Sequence, residues 1–224
     1  QVDRSVIRTD LLVECVRSMS NSQVQNSAIL LISRLAGWVP DLVLHSVMPI
    51  FTFMGATLLR QSDDYSAHVI DQAISRVVPP LVASLRKRNQ DLVVGAAELL
   101  LSFTAAYEHI PLHRRLPLFA QLTKTLGPDD SLFAVIAMLV DRYLMDGGVQ
   151  TFVMELMRSF EPLTQLRAMR RYLDLIEDGL RPKRTISEVV FTLSEKDPDQ
   201  IEAAIVNVTR ALSTLVSDPQ LRGR

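Results

Sequence analysis

His109 and His113 stand four residues apart, a spacing at which two imidazoles on one helix face can grip a metal ion. Pro111 falls between them and reads as the start of a new helix, so a polar loop is the expectation and no metal site is assigned. Asp63-Asp64 and Asp129-Asp130 are paired acids of the kind used in general acid-base chemistry. Each pair precedes a helical run, where a carboxylate accepts backbone N–H bonds and complements the positive helix end. Capping is therefore expected of both, and no catalytic residue is named. The sequence carries no phosphate-binding glycine loop, no dinucleotide fingerprint and no HExxH pair, so neither cofactor nor small-molecule substrate is expected. The single cysteine, Cys15, lies in the apolar run LLVECV and reads as a small core residue in a reducing compartment.

The basic clusters carry more chemistry. Arg86-Lys87-Arg88 falls at a predicted helix end, where cations complement the dipole and remain free to meet a phosphate. Arg181, Lys183 and Arg184 surround Pro182 in a predicted linker before Thr185, an exposed setting for the same contact. A solvated charged surface is the plainer reading of each cluster. Arg167, Arg170 and Arg171 share a helix face with Asp174 and Asp178, so internal i,i+4 pairing is expected there. With 24 basic against 25 acidic residues, no global field draws the chain to nucleic acid or an anionic membrane. Aromatic residues make up 6% and do not alternate with the basic ones, which argues against a stacking platform for single-stranded RNA. Trp38, beside Pro40, reads as a buried filler between repeats, with an exposed partner anchor as the other reading.

Short helices must position all of these groups. Apolar residues recur at three- and four-residue spacing in segments separated by glycine and proline, so the chain reads as all-α. Ser22 with Gln25, Thr185 with Glu188, and Asp197-Pro198 with Gln200 have the pattern of capping boxes. Gly37, Gly127-Pro128, Gly147-Gly148 and Gly179 read as stops. Pairing successive helices gives about six hairpins, at 3–37, 40–78, 79–108, 111–146, 149–179 and 185–217, with one boundary placed at Pro79-Pro80. Ala28, Leu31, Ile32 and Leu35 align with Ala96, Leu99, Leu100 and Phe103, a faint internal repeat. Hairpins that cannot bury their apolar faces alone stack into one core, the basis of a HEAT-type α-solenoid; a compact helical bundle is the alternative. The segment ISEVVFTL, 186–193, has strand-like composition, but its neighbours favour helix. The longest nearly uncharged apolar stretch, Val47 to Leu59, contains Pro49 and is shorter than the ~20 residues that span a bilayer. The opening QVDRSVIRTDLL lacks a methionine and reads as the edge of an excised internal piece.

One stretch identifies a family. PIFTFMG, then Arg60, the acidic turn and Tyr65-Ser66, continuing through Val69-Ile70 and VVPPL at 77–81, resembles the HEAT-repeat subunit of the nucleolar small-subunit processome, the HEAT repeat-containing protein one family. The resemblance implies a non-catalytic scaffold inside a much longer α-solenoid, without enzymatic activity or cofactor. It implies nucleolar localisation, processome proteins as partners, pre-rRNA or small nucleolar RNA nearby, and a role in pre-rRNA processing and small-subunit rRNA maturation. A transport or adaptor HEAT protein that binds peptide segments is the competing reading. Within PIFTFMG, Ile50, Phe51, Phe53, Met54 and Leu58 are expected to line a buried helix face, with Gly55 permitting close helix approach.

Overall fold

The computed structural model describes residues 7–44, 48–61 and 63–219, and among them every regular element is helical. The expected hairpin start at residue 3, Val47 at the head of the longest apolar stretch, and Ser62 before the acidic turn lie outside the described residues. The chain folds as two compact units. The first runs to Gln90 and also takes Glu98–Leu118; the second takes Asp91–Ala97 and the residues from Phe119 on.

In the first unit, α1 (Thr9–Ser18) packs on α2 (Ser22–Trp38), and α2 packs on α5 (Asp64–Lys87). Between them come the short α3 (Pro40–Leu44), then α4 (Met48–Ala56) and a 3-10 turn at Leu58–Arg60. Ile50, Phe51, Met54 and Leu58 are buried, as the apolar pattern of PIFTFMG requires, whereas Phe53 is only half-buried. Gly55 of α4 lies against the backbone of α7 (Ala97–Ala105): a Cβ built on it would sit 2.7 Å from the Ser102 carbonyl oxygen. Its lack of a side chain is what lets the two backbones meet. Trp38 is 51% exposed at the end of α2, so the buried-filler expectation fails; the neighbouring Val39 takes the core position instead. Cys15 is half-buried rather than in the core.

The break expected at Pro79-Pro80 is absent, because α5 runs unbroken from Asp64 to Lys87. Prolines at these positions remove the N–H groups that would bond the carbonyls of Ser75 and Arg76, four residues earlier. Both of those residues are exposed, so water reaches the freed carbonyls. Meanwhile Val77, Val78, Leu81 and Val82 keep the helix bound to the core. A hairpin boundary at 78/79 is therefore wrong, and the chain turns after Arg88, where Asn89 takes φ 53°.

The second unit is built around α9 (Pro128–Tyr143). Every residue from Ser131 to Val140 is buried, on all sides of the helix, which is the signature of a central element. Around it pack α6 (Leu92–Gly95), α10 (Gly147–Arg158), α11 (Pro162–Leu180), α12 (Ile186–Val190) and α13 (Pro198–Ser217). The strand-like ISEVVFTL is helical at α12, followed by a left-handed Thr192 at φ 46°. The remaining helix, α8 (Leu112–Leu126), enters this unit at Phe119, whose ring meets Phe152 edge-on at 5.4 Å.

Helix starts are only partly as the pattern suggests. The Asp197–Gln200 box forms in full. At α2 the cap is Asn21, accepting from the N–H groups of Gln23 and Val24, while Gln25 instead donates to the Val16 and Met19 carbonyls at the end of α1. Asp63 caps α5 by accepting the Ser66 N–H, and that bond holds its carboxyl below the usual carboxylate range. Gly147 and Gly148 open α10 rather than ending α9, and Gly37 and Gly179 lie within the last turns of their helices. The left-handed stop after α9 is Leu144, at φ 62°.

Tyr172 of α11 is buried and its hydroxyl has no hydrogen-bond partner among the described residues. Burial, reinforced by the charge of Asp141, drives its phenol far above the ordinary value. Removing the oxygen with Tyr172→Phe relieves a desolvated, unpaired group, so we expect about 1 kcal/mol of added stability. Thermal unfolding should rise by about 3 °C; a fall would mean that the hydroxyl is satisfied in solution.

Candidate nucleic-acid interface

Arg86 and Lys87 occupy the last turn of α5 and Arg88 is its C-cap residue. The carbonyls left open at this end attract cations, which explains the placement without any ligand. All three side chains are exposed, and none forms an ion pair among the described residues. Their charge is thus available for phosphate.

The second cluster divides. Arg181 caps the end of α11 through its N–H to the Asp178 carbonyl, and its side chain is exposed, as is that of Lys183. Arg184 turns back instead: it is half-buried, and its Nε donates to the Gly179 carbonyl at 3.0 Å. Two of the three cations face outward and the third closes the helix end.

Asp178 holds the far side of this loop. It is 8% exposed and accepts four hydrogen bonds, from the N–H and Oγ1 of Thr185 at 3.0 and 2.9 Å and from the N–H and Oγ of Ser187 at 2.9 and 2.7 Å. Burial pushes its carboxyl upward, but these donors outweigh that effect and hold it at about 2. The expected Thr185–Glu188 box does not form, since Thr185 makes no side-chain cap and α12 is capped from outside by Asp178. Nothing local to residues 185–188 signals this, because the acceptor lies seven and nine residues back on another helix.

The expectation for Arg167, Arg170 and Arg171 holds in one pair only. Arg170 meets Asp174 at 3.2 Å within α11. Arg167 reaches Asp129 on α9, and Arg171 lies 3.5 Å from Asp130 and 3.8 Å from Asp91 with its guanidinium 4.9 Å from the Phe133 ring centroid. Asp178 takes no part, being committed to α12. Asp129 and Asp130 thus stand in the first turn of α9 without capping it by hydrogen bonds, and instead fasten α11 across the unit. Asp91 caps α6 through the N–H groups of Val93 and Val94 and meets Arg171 as well. This third basic group is structural.

Lys196 bridges both oxygens of Asp141 at 2.6 Å, tying the end of α9 to the turn before α13. Burial pushes the Asp141 carboxyl above its ordinary range against the pull of Lys196. His109 ends a 3-10 turn and His113 lies in the first turn of α8, so Pro111 does separate them. Among the described residues no group of three His, Cys, Asp or Glu is arranged to hold a metal ion. No helix among them is long and apolar enough to cross a membrane.

Described residues that form only packed helices, with charge at the helix ends, have the features of a helical-repeat protein. Residues 93–222 match the family described as HEATR1-like, HEAT repeats, and the chain belongs to that family. It is 52% identical to the U3 small nucleolar RNA-associated protein 10 of Phaeosphaeria nodorum over 98% of its own length and 13% of the relative's. The proteins of the same name from Coccidioides immitis and Aspergillus fumigatus are each 49% identical over 99% of the chain and 12% of theirs. The chain thus spans about an eighth of the length of the curated relatives it matches.

Proposed function

We propose that this chain is a non-catalytic scaffold segment in ribosome biogenesis, working within the nucleolar small-subunit processome during pre-rRNA processing and small-subunit rRNA maturation. The observation that carries the reading is the identity of about one half, over nearly the whole chain, to relatives named for association with the U3 small nucleolar RNA. Its helices serve as HEAT hairpins, with the second and third divided after α5 rather than within it. Partners are processome proteins. Contact with pre-rRNA or small nucleolar RNA runs through Arg86, Lys87 and Arg88 and through Arg181 and Lys183, with Arg184 holding their loop in place.

RNA contact of this kind makes affinity fall with salt, by about 0.7 in log–log slope per phosphate on single strands. Charge reversal of Arg86, Lys87 and Arg88 together should reduce that slope by about 2 and weaken binding to any single-stranded RNA alike. A second variant, Arg181→Glu with Lys183→Glu, should lower it by about 1. Unchanged affinity in both variants refutes the RNA contact. The scaffold reading is tested separately, by asking what co-purifies with the full-length parent: recovery of nuclear transport factors without pre-ribosomal particles overturns it.

A further inference from the structure

A polar cleft of about 580 Å³ opens in the first unit where the amino ends of α2 and α5 lie side by side. Asn26, from the second turn of α2, lines it. It is 3% exposed, yet its side-chain oxygen has no hydrogen-bond partner among the described residues. A buried carbonyl left unpaired costs about 1–3 kcal/mol, so this one is poised to accept from a donor that enters the cleft. Around it stand two more carboxamides, Gln23 and Gln61, and the half-exposed ring of Tyr65. The Gln61 side-chain oxygen already accepts the Ser66 hydroxyl, which leaves its amide nitrogen to donate.

An acceptor and a donor on neutral carboxamides of one cleft match the peptide unit, which offers one N–H and one C=O. Among the described residues Asp63 is the one charged residue lining the cleft; the Ser66 N–H and, more weakly, the charge of Arg114 hold its carboxyl below its ordinary range, so it stays ionised. Arg114 is engaged by the Gln61 backbone carbonyl at 2.9 Å and does not line the cleft, so the described lining meets a phosphodiester chain with the like charge of Asp63. We infer that this cleft is a docking site for an extended protein segment, whose backbone N–H pairs with the Asn26 carbonyl oxygen and whose C=O accepts from Gln61. The inference deepens the scaffold reading and rests on it, by giving the scaffold a protein-binding site apart from its basic clusters.

The test selects phage-displayed random 12-residue peptides on the 224-residue chain and resynthesises those that bind. In Asn26→Leu, which removes an unpaired polar group, and in Gln61→Ala, affinity should drop about tenfold while helical content and melting stay at or above the parent's. Replacing one amide of the peptide by an ester, which deletes a single donor, should cost about tenfold against the parent and nothing further against Asn26→Leu. If Asn26→Leu fails to fold, Gln61→Ala and Tyr65→Ala provide the same reading from less buried positions. The proposal is overturned if no peptide is selected, if the selected peptides bind all variants like the parent, or if a 12-residue oligouridine displaces them from the cleft. Loss of oligouridine binding in the charge-reversal variants alone bears on the RNA contact and leaves the peptide result standing, so the two failures are distinct.

Discussion

Gly55→Ala should destabilise the chain by about 2 kcal/mol, although the same change in most helix interiors stabilises by up to about 1 kcal/mol. The new Cβ would lie 2.7 Å from the Ser102 carbonyl oxygen, 3.1 Å from its carbon and 3.2 Å from the Ser102 Cβ. Backbone atoms cannot swing aside as a side-chain tip can, so α4 and α7 must separate, and overpacking of this kind costs about 1–3 kcal/mol. That loss outweighs the gain in helix propensity, and unfolding should come about 4–8 °C earlier. Gly37→Ala is the matched control, because Gly37 lies in α2 with nothing within 4 Å of an added Cβ. It should be neutral or stabilising by about 0.5 kcal/mol. Equal effects at the two sites, measured by denaturant unfolding, would refute the close approach.

Asp178→Ala is the second large effect, at about 3 kcal/mol. It deletes the acceptor of four hydrogen bonds and strands the N–H and hydroxyl of Ser187, which is fully buried. The pH dependence follows from the carboxyl's depression from 3.8 to about 2 on folding. A depressed acid stabilises the folded form while ionised, so its contribution is complete above the unfolded value near 4 and is lost as pH falls toward 2. The amount at stake is about 2 kcal/mol. Asp178→Asn should therefore be destabilised at neutral pH and lose less than the parent between pH 4 and pH 2. Parallel acid limbs for the two proteins would show that Asp178 is not held low. Because the same carboxylate fixes the loop that presents Arg181 and Lys183, its loss should also loosen those cations without altering their charge.

Periodicity made the helical class legible, since a helix that buries one face must repeat apolar residues at three and four positions. The Asp197 box was legible for the same reason of locality: cap, proline and glutamine lie within four residues. Gly55 was readable from its setting among Phe51, Met54 and Leu58. What sequence pattern missed depends on partners distant in the chain. Gln25 has the right spacing for a box with Ser22, yet the end of α1 offers it two carbonyls, and they win. Asp174 and Asp178 continue the face of Arg167, Arg170 and Arg171, but only Asp174 lies one turn from an arginine and pairs, while Asp178, two turns on, is claimed by Thr185 and Ser187. Proline rules misplaced a boundary at 79–80, where the cost of lost bonds depends on solvent access to Ser75 and Arg76. The outward cations were legible as a cluster; the inward turn of Arg184 was not.

The tandem prolines of α5 also bear on mechanics. A helix resists bending through its ladder of lateral ties, and here two successive ties are absent at mid-length while the apolar face beneath stays continuous. Such a rod is compliant at one known point and stiff on either side. Neither missing tie has to break when the helix bends there, so its weakest point lies between the capped start at Asp63 and the cationic end at Arg86–Arg88.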